Sequence, residues 1–358
     1  MPEPELLQAE IQVRNGWRRH WKRWLVVALA VIILFATIQR YRSILGNSIT
    51  QLGHLRWGAV WVAVALEWTS MAAFARMQRS VLRSGGIKLT IESMVAITYA
   101  GNAIAVTLPI AGSGVGTAFL HRQFSARGAT RAVATWALLL SGIFSTVAFG
   151  LVVSAGAIVS GHPLAEVAGV AGVVLVALPL VAVRVASTRP RIEDKLIAVG
   201  AWAVKQGRRI TKKTGDDPEL VIREAIQTMA ALRVTRFDKV VASVSSVLNW
   251  LLDIGCLALS IRAVGLHVPW NDLILAWAAG AGAASFNLTP GGLGVVEPAL
   301  AAALVAARLP ATKAMAAVLL YRFISFWLIL ALGWILYWLV RRRRSGANAA
   351  TEPQVTLG

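Results

Sequence analysis

The sequence has little of the chemistry on which most enzymes and metalloproteins depend. Its 358 residues include one cysteine, Cys256, and five histidines. A single cysteine excludes an intrachain disulfide and a cysteine-based zinc site, and no two histidines have the HxxxH or HExxH spacing. We also find no Walker loop, no GxSxG elbow and no dinucleotide-binding glycine fingerprint after a strand. The sequence therefore predicts no metal, no cofactor and no catalytic residues.

Charged residues are also scarce, at 15% of the chain against about 25% in soluble globular proteins. Hydrophobic residues make up 57% and occur in long blocks such as 24–38, 57–75 and 132–159. This composition excludes an ordinary soluble enzyme and a disordered tail, and it predicts an all-α polytopic membrane protein. Because no small-residue cleavage site follows the first block, we expect a retained span with a cytoplasmic N-terminus.

Acidic residues are fewer still than basic ones. The chain has 17 Asp and Glu against 36 Lys and Arg, which gives a net charge of +19. Such an excess can indicate nucleic-acid binding, but no nucleic-acid-binding module is recognisable. In membrane proteins Lys and Arg gather in cytoplasmic loops, where they face anionic lipid. We therefore expect an anionic lipid surface as a partner and no nucleic acid.

Apolar segments and basic loops together predict the topology. Two segments, 93–124 and 273–309, are interrupted by Pro and Gly, and about 16 residues before each break would reach only about 24 Å of the roughly 30 Å core. If 93–108 crossed fully, the basic segment 187–239 would lie outside, against the positive-inside rule. We therefore predict two re-entrant broken-helix hairpins, and about six full spans: 24–39, 57–75, 132–159, 164–186, 240–262 and 314–339.

This topology divides the chain into five parts, with both termini in the cytoplasm. The run Arg341–Arg344 fixes the C-terminal end of the last span inside. The parts are a basic N-terminus (1–23), a first membrane half (24–186), a cytoplasmic amphipathic segment (187–239), a second membrane half (240–340) and a cytoplasmic tail (341–358).

The two breaks resemble each other. Pro109 is followed by Gly112-Ser113-Gly114-Val115, and Pro290 by Gly292-Leu293-Gly294-Val295. Seventeen residues after each proline comes Ala-Arg, and a long apolar span follows both times. Because the two hairpins are predicted to open to opposite sides, the halves form an inverted-topology repeat. Such repeats are typical of secondary transporters, whose sites lie where broken helices meet.

These motifs also resemble a known family. The stretches Asn102…Leu108-Pro109…Gly112…Gly114 and, above all, Thr289–Glu297 resemble the lysylphosphatidylglycerol synthase transmembrane, or flippase-like, family of bacterial integral membrane proteins. The second stretch is similar to the family's PGGLGxxE signature, and Leu319–Arg322 to its LLxR. The resemblance covers roughly 55–340, although the first motif lacks the acidic residue that often follows its glycines.

The resemblance implies a protein of the bacterial plasma membrane that handles a phospholipid or a polyprenyl-phosphate-linked sugar. In some members the membrane half is joined to a soluble aminoacyl-transferase domain, which would need about 300 further residues. For this chain the resemblance therefore implies translocation of a lipid without its synthesis.

Ionisable residues inside apolar spans are costly and are therefore candidates for function. Glu297 follows the second break, where it would bind a cationic headgroup or complement the start of a helix. The helix beginning near Val295 would also offer free N–H groups to a phosphate. Arg322 lies nine residues into the last span, and its forked donors suit phosphate, or it forms a structural ion pair with Glu297. The glycines that would let the backbone approach a ligand are Gly291, Gly292 and Gly294.

Six further polar residues are candidates. Arg122 and Arg127 would guide an anionic headgroup or simply anchor a cytoplasmic loop. Glu67 and Asp253, each in the span before a hairpin and so equivalent in the repeat, would relay protons or pair with an arginine, Asp253 with Arg322. The last two, which would coordinate a headgroup or cap broken helices, are Asn102 and Asn287.

Two hypotheses of different classes follow. In the first, the protein is a translocator that moves a phosphate-bearing lipid headgroup through a polar cavity between two opposed hairpins. In the alternative, it is a non-transporting partner or regulator of an envelope-lipid or glycan enzyme, which would dock on segment 187–239.

Overall fold

The computed structural model describes residues 55–108, 112–163, 165–167, 169–172, 174, 234–286 and 289–349. In these ranges every regular element is a helix. Four helices are long and apolar enough to cross a membrane: Trp57–Ser84, Arg131–Val159, Arg236–Ala263 and Ala311–Arg342. They match four of the six predicted spans. The span at 24–39, most of 164–186, most of segment 187–239, and Asn287 lie outside the described residues.

The first half contains a long helix, two short helices and a second long helix. Threonine hydroxyls begin two of them, since Thr90 accepts a hydrogen bond from Ser93 N and Thr130 from Val133 N. The long first helix ends where Gly86 adopts a positive φ of 85°, a common helix C-terminus. These helices are α1 (Trp57–Ser84), α2 (Ile91–Thr107), α3 (Gly112–Ser125) and α4 (Arg131–Val159).

The second half follows the same order. Its final helix is continuous but contains a π-helical segment, Phe323–Leu328. The elements are α5 (Arg236–Ala263), α6 (Trp270–Ser285), a 3-10 turn (Pro290–Gly292), α7 (Val296–Ala306), α8 (Ala311–Arg322), the π segment and α9 (Ile329–Ala349).

One predicted boundary is wrong. Span 57–75 is predicted to be followed by a basic cytoplasmic loop that contains Arg76, Arg79, Arg83 and Lys88. The helix α1 instead continues to Ser84 and carries the three arginines on its last turns. Arginine is a good helix former, and these cations find partners without leaving the helix. Arg79 Nε donates to Leu89 O at 2.6 Å, and Arg83 pairs with Asp238.

The two long helices α1 and α5 pack against each other in opposite directions along their whole length. Arg56 N, just before α1, donates to Ala263 O at the end of α5 at 2.9 Å. Midway, Ser70 Oγ donates to Asn249 O at 2.8 Å, and at the far end Ser84 Oγ lies 3.0 Å from Asp238 Oδ2. This antiparallel pair forms the centre of the described structure, with one apolar core cluster towards each half.

Two short-helix pairs flank this centre. The helices α2 and α3 have 17 and 14 residues, and α6 and α7 have 16 and 11. At 1.5 Å per residue each is about 17–26 Å long, less than the roughly 30 Å hydrocarbon core. In the first pair the backbones touch, because a Cβ on Gly112 would lie 1.9 Å from Ala105 O. The lengths fit the predicted hairpins, whose re-entrant placement stays a prediction.

Candidate functional site at the second helix break

The backbone between α6 and α7 folds into a tight, glycine-dependent turn. Gly291, Gly292 and Gly294 have φ of 58°, 69° and 77°, values that favour glycine over residues with a side chain. A Cβ on Gly291 would lie 2.0 Å from the ring of Phe326. The hydroxyl of Thr289 closes the turn by donating to Leu293 O at 2.8 Å.

Glu297 lies in the first turn of α7 and folds back onto this turn. Its Oε2 accepts a hydrogen bond from Gly294 N at 2.7 Å. A carboxylate at this end of a helix complements the helix dipole. The N–H group that we expected to be open to a phosphate is therefore taken by the chain's own carboxylate, which occupies part of the predicted anion site.

Arg322, at the end of α8, pairs with Glu297 as predicted. Its Nε donates to Glu297 Oε1 at 2.8 Å, and its Nη2 donates to Gly291 O at 2.6 Å. The guanidinium lies over the ring of Phe326, 4.6 Å from its centroid, a favourable cation–π contact. Because the exposed fractions of the two charged side chains are only 12% and 14%, each depends on the other for neutralisation.

This arrangement leaves one donor group of the arginine available. A guanidinium carries five N–H donors in a planar fork, and among the described residues Nη1 of Arg322 has no hydrogen-bond partner. The space beside Gly291 is filled by the ring of Phe326, so Nη1 is the part of Arg322 that remains for a further acceptor.

A second polar cluster contains Tyr321, the residue directly before Arg322 on α8. Asp253 on α5 accepts hydrogen bonds on both oxygens, from Tyr321 OH at 2.8 Å and from Trp277 Nε1 at 2.9 Å. The antiparallel register of α1 and α5, in which Ser70 Oγ donates to Asn249 O at 2.8 Å, brings Glu67 on α1 level with Asp253 on α5, one helical turn further along. The structure thus brings Glu67 and Asp253 together and places them beside Arg322, whose ion-pair partner is Glu297.

The two carboxyl residues are on equivalent helices but not at equivalent positions. Counted from the helix starts, Ser246 of α5 corresponds to Glu67, and Phe74 of α1 corresponds to Asp253. Each acid does lie in the helix before a short-helix pair, as the prediction of equivalence required; the positions within the helices, which it did not specify, differ. Because α1 and α5 are antiparallel, residues at unequal distances from their starts meet.

The remaining candidates lie on the first hairpin. Asn102 is half-buried within α2, and Arg122 is exposed in the last turn of α3. Arg127 follows α3, where its Nη1 donates to Gln123 O at 3.0 Å. In the described part of the chain no hydrogen bond or ion pair joins Arg122 to the second break.

Sequence reasoning missed Tyr321 and Trp277, which hold Asp253. Tryptophan is enriched at membrane–water interfaces, but Trp277 is buried, with 2% of its surface exposed. Its place in the interior of a short hairpin helix, away from either end, was the available signal. For Tyr321 the signal was its position directly before the intramembrane arginine.

One comparison with known proteins gives a match. The sequence model of the lysylphosphatidylglycerol synthase TM region matches residues 15–333, most of the chain. This range includes both breaks, the antiparallel helices and the Glu297–Arg322 pair. No curated protein shows a significant match to the chain.

Proposed function

Because the chain belongs to the family of the lysylphosphatidylglycerol synthase transmembrane region, we propose that it translocates a phosphate-bearing lipid headgroup across the membrane. The protein is a multi-pass membrane protein with a lipid-related family, and translocation is the specific activity that we assign to it. The observation that carries the proposal is the buried Glu297–Arg322 pair at a helix break.

The pair has the chemistry to bind such a headgroup. Arginine binds phosphate through two parallel donors, and Arg322 has Nη1 unused among the described residues. When a phosphate replaces Glu297 as the partner of the guanidinium, the buried cation exchanges one anion for another and is never left unpaired. Glu297 then becomes available to an amino group of an aminoacylated or zwitterionic headgroup.

The surrounding fold supplies a route. Broken helices are tolerated at membrane depth where protein or a water-filled cavity covers the exposed backbone, and the two short-helix pairs are too short to cross a bilayer core. The antiparallel packing of α1 and α5 supports an inverted repeat, in which the site lies where the breaks meet. The headgroup would pass between the breaks while the acyl or prenyl chains stay in the bilayer.

The remaining assignments belong to the same proposal. The protein acts without catalytic chemistry, in the bacterial plasma membrane, with both termini in the cytoplasm. Its substrate is a phospholipid or a polyprenyl-phosphate-linked sugar, which share the phosphate that Arg322 would bind. Basic loops hold the protein against anionic lipid, and an envelope enzyme is its protein partner.

Reconstitution of the purified protein into liposomes tests the proposal. Labelled phosphatidylglycerol and a labelled polyprenyl-phosphate sugar would be followed separately between leaflets, with protein-free liposomes and an Arg131→Ala variant as controls. We expect wild type and Arg131→Ala to move one of the two lipids, because Arg131 is exposed at the start of α4. Folded wild-type protein that moves neither lipid would contradict the proposal.

A further inference from the structure

Glu67 and Asp253 lie at the centre of the described structure, where Glu67 is buried and Asp253 is half-buried. Glu67 has 5% of its surface exposed, and its Oε2 has no hydrogen-bond partner among the described residues. Charged carboxylates in such a position would repel each other without water to screen them. Two acids in contact inside the membrane therefore require a proton between them.

The hydrogen bonds indicate which acid carries that proton. Both oxygens of Asp253 accept from neutral donors, Tyr321 OH and Trp277 Nε1, as a carboxylate does. Glu67 has no such donor: its buried Oε2 has no hydrogen-bond partner among the described residues, and Asp253 is the acid level with it across the two helices. The geometry therefore fits a protonated Glu67 that donates to an ionised Asp253.

Among the described residues around Glu67 and Asp253, one side chain is a cation. Tyr99 on α2, Cys256 on α5 and Tyr321 on α8 are neutral neighbours, and the cation that acts on Asp253 is Arg322. Beyond its first residue, Arg131, the neighbouring helix α4 contains no ionisable side chain. A change in the charge of the Glu67–Asp253 pair therefore acts mainly on Arg322 at the second break.

We propose that the Glu67–Asp253 pair is a proton-binding site that couples proton movement to translocation at the second break, an inference that rests on the proposed function. When Glu67 loses its proton to water, its O–H bond breaks and the pair becomes doubly negative. This charge attracts Arg322 away from Glu297 and Gly291, which opens the break. Reprotonation of Glu67 returns Arg322 to Glu297.

The helix that carries Arg322 has the means to shift. The π-helical segment Phe323–Leu328 begins directly after Arg322. Such wide turns occur frequently at functional sites. A π-helical turn contains one residue more than an α-helical turn, and when this extra residue shifts along the helix, the side chains that it passes rotate about the helix axis. Tyr321 and Arg322 are adjacent, so rotation of this one turn changes the contacts of both clusters together.

Glu67→Gln tests the proposal, because its amide can still donate to Asp253 but cannot release a proton. Net movement of labelled lipid would be measured in liposomes with and without a gradient of one pH unit. For one proton per lipid this gradient drives about a tenfold accumulation in one leaflet. We expect wild type and the exposed control Glu92→Gln to show it, and folded Glu67→Gln to move lipid equally with and without the gradient.

A second readout does not depend on transport. Infrared difference spectra between acid and alkaline buffer would follow the carbonyl band of a protonated carboxylic acid. The other carboxyl groups contribute to this band in every variant, so we expect a band component that wild type and Glu92→Gln share and that Glu67→Gln lacks. If that component persists in folded Glu67→Gln, or if the variant remains as gradient-sensitive as wild type, the proton site is wrong. If wild type moves no lipid, the proposed function fails and that component of the infrared band alone decides whether the proton site exists.

Discussion

The two helix breaks share a sequence pattern but differ in charge. In the second break, Glu297 lies two residues after Val295. Its carboxylate accepts hydrogen bonds from Gly294 N and from Arg322. In the first, the corresponding residue is Thr117, whose hydroxyl donates to Ser113 O within its own helix. The first break belongs to a hairpin with touching backbones, whereas the second holds a buried ion pair. The two breaks are therefore held by different contacts, close backbone packing in the first and an ion pair in the second.

The long helices that follow the breaks show the same contrast. After Arg131, α4 contains no ionisable residue, whereas α8 ends in Arg322 and continues into a π-helical segment. Among the described residues, the long helix after the second break therefore has a charged side chain within its apolar length, and the long helix after the first break has none. The following substitutions test this difference in pairs, one in each half.

We expect the largest effect from Arg322→Ala. It leaves Glu297 as a buried, unpaired charge, which costs about 3–5 kcal/mol, and it removes the donor fork that we propose binds phosphate. The matched change Arg122→Ala, at an exposed site on the first hairpin, should alter stability by less than about 0.5 kcal/mol. Thermal unfolding in detergent and lipid movement in liposomes would measure both. Equal loss in the two variants would contradict the asymmetry.

The next effect is expected from Gly291→Ala. The alanine would have to keep a positive φ and place its Cβ against Phe326, a strain of about 1–3 kcal/mol. Gly114→Ala in the first hairpin meets no atom within 4 Å and should be neutral or slightly stabilising, because alanine favours a helix. The unfolding temperatures of the two variants measure the difference. A Gly291→Ala protein as stable as Gly114→Ala would refute the turn geometry.

Tyr321→Phe should have a smaller effect. It removes the hydroxyl that donates to Asp253, and loss of a partner from a buried polar group costs about 1–3 kcal/mol. Tyr337→Phe on α9 keeps its ring contacts with Phe119 and serves as the control. Thermal unfolding should separate the two, and identical unfolding would show that Tyr321 does not support Asp253.

The smallest effect is expected from Thr117→Val in the first hairpin. Thr117 is exposed, and its hydroxyl bonds only Ser113 O in the same helix. Stability should change by no more than about 0.5 kcal/mol, and lipid movement should match wild type. A large loss of lipid movement in this variant would mean that the first break also carries function.

Much of the fold could be predicted because each element has its own local signal. Apolar blocks marked the four described spans, and Pro and Gly marked the second break. The pairing of Glu297 with Arg322 followed from the cost of an unpaired intramembrane charge. The end of α1 was misplaced because hydropathy reports the bilayer core, whereas the helix itself ends at the glycines after Ser84.

The rest depends on contacts between distant segments. That Glu67 meets Asp253 follows from the antiparallel register of α1 and α5, which no local pattern encodes. The capture of Gly294 N by Glu297 depends on the positive φ of three glycines in the turn. Residue type and spacing identified the candidates, but the three-dimensional register decided which of them touch.

The most direct test of a lipid site at the second break is transbilayer movement by Glu297→Gln beside wild type and Thr117→Val. Glutamine can still accept from Gly294 N but cannot neutralise Arg322, so a bound phosphate would not be released. We predict that wild type and Thr117→Val move labelled phosphatidylglycerol or the polyprenyl-phosphate sugar, and that folded Glu297→Gln moves neither. Movement at the wild-type rate in Glu297→Gln would contradict the account.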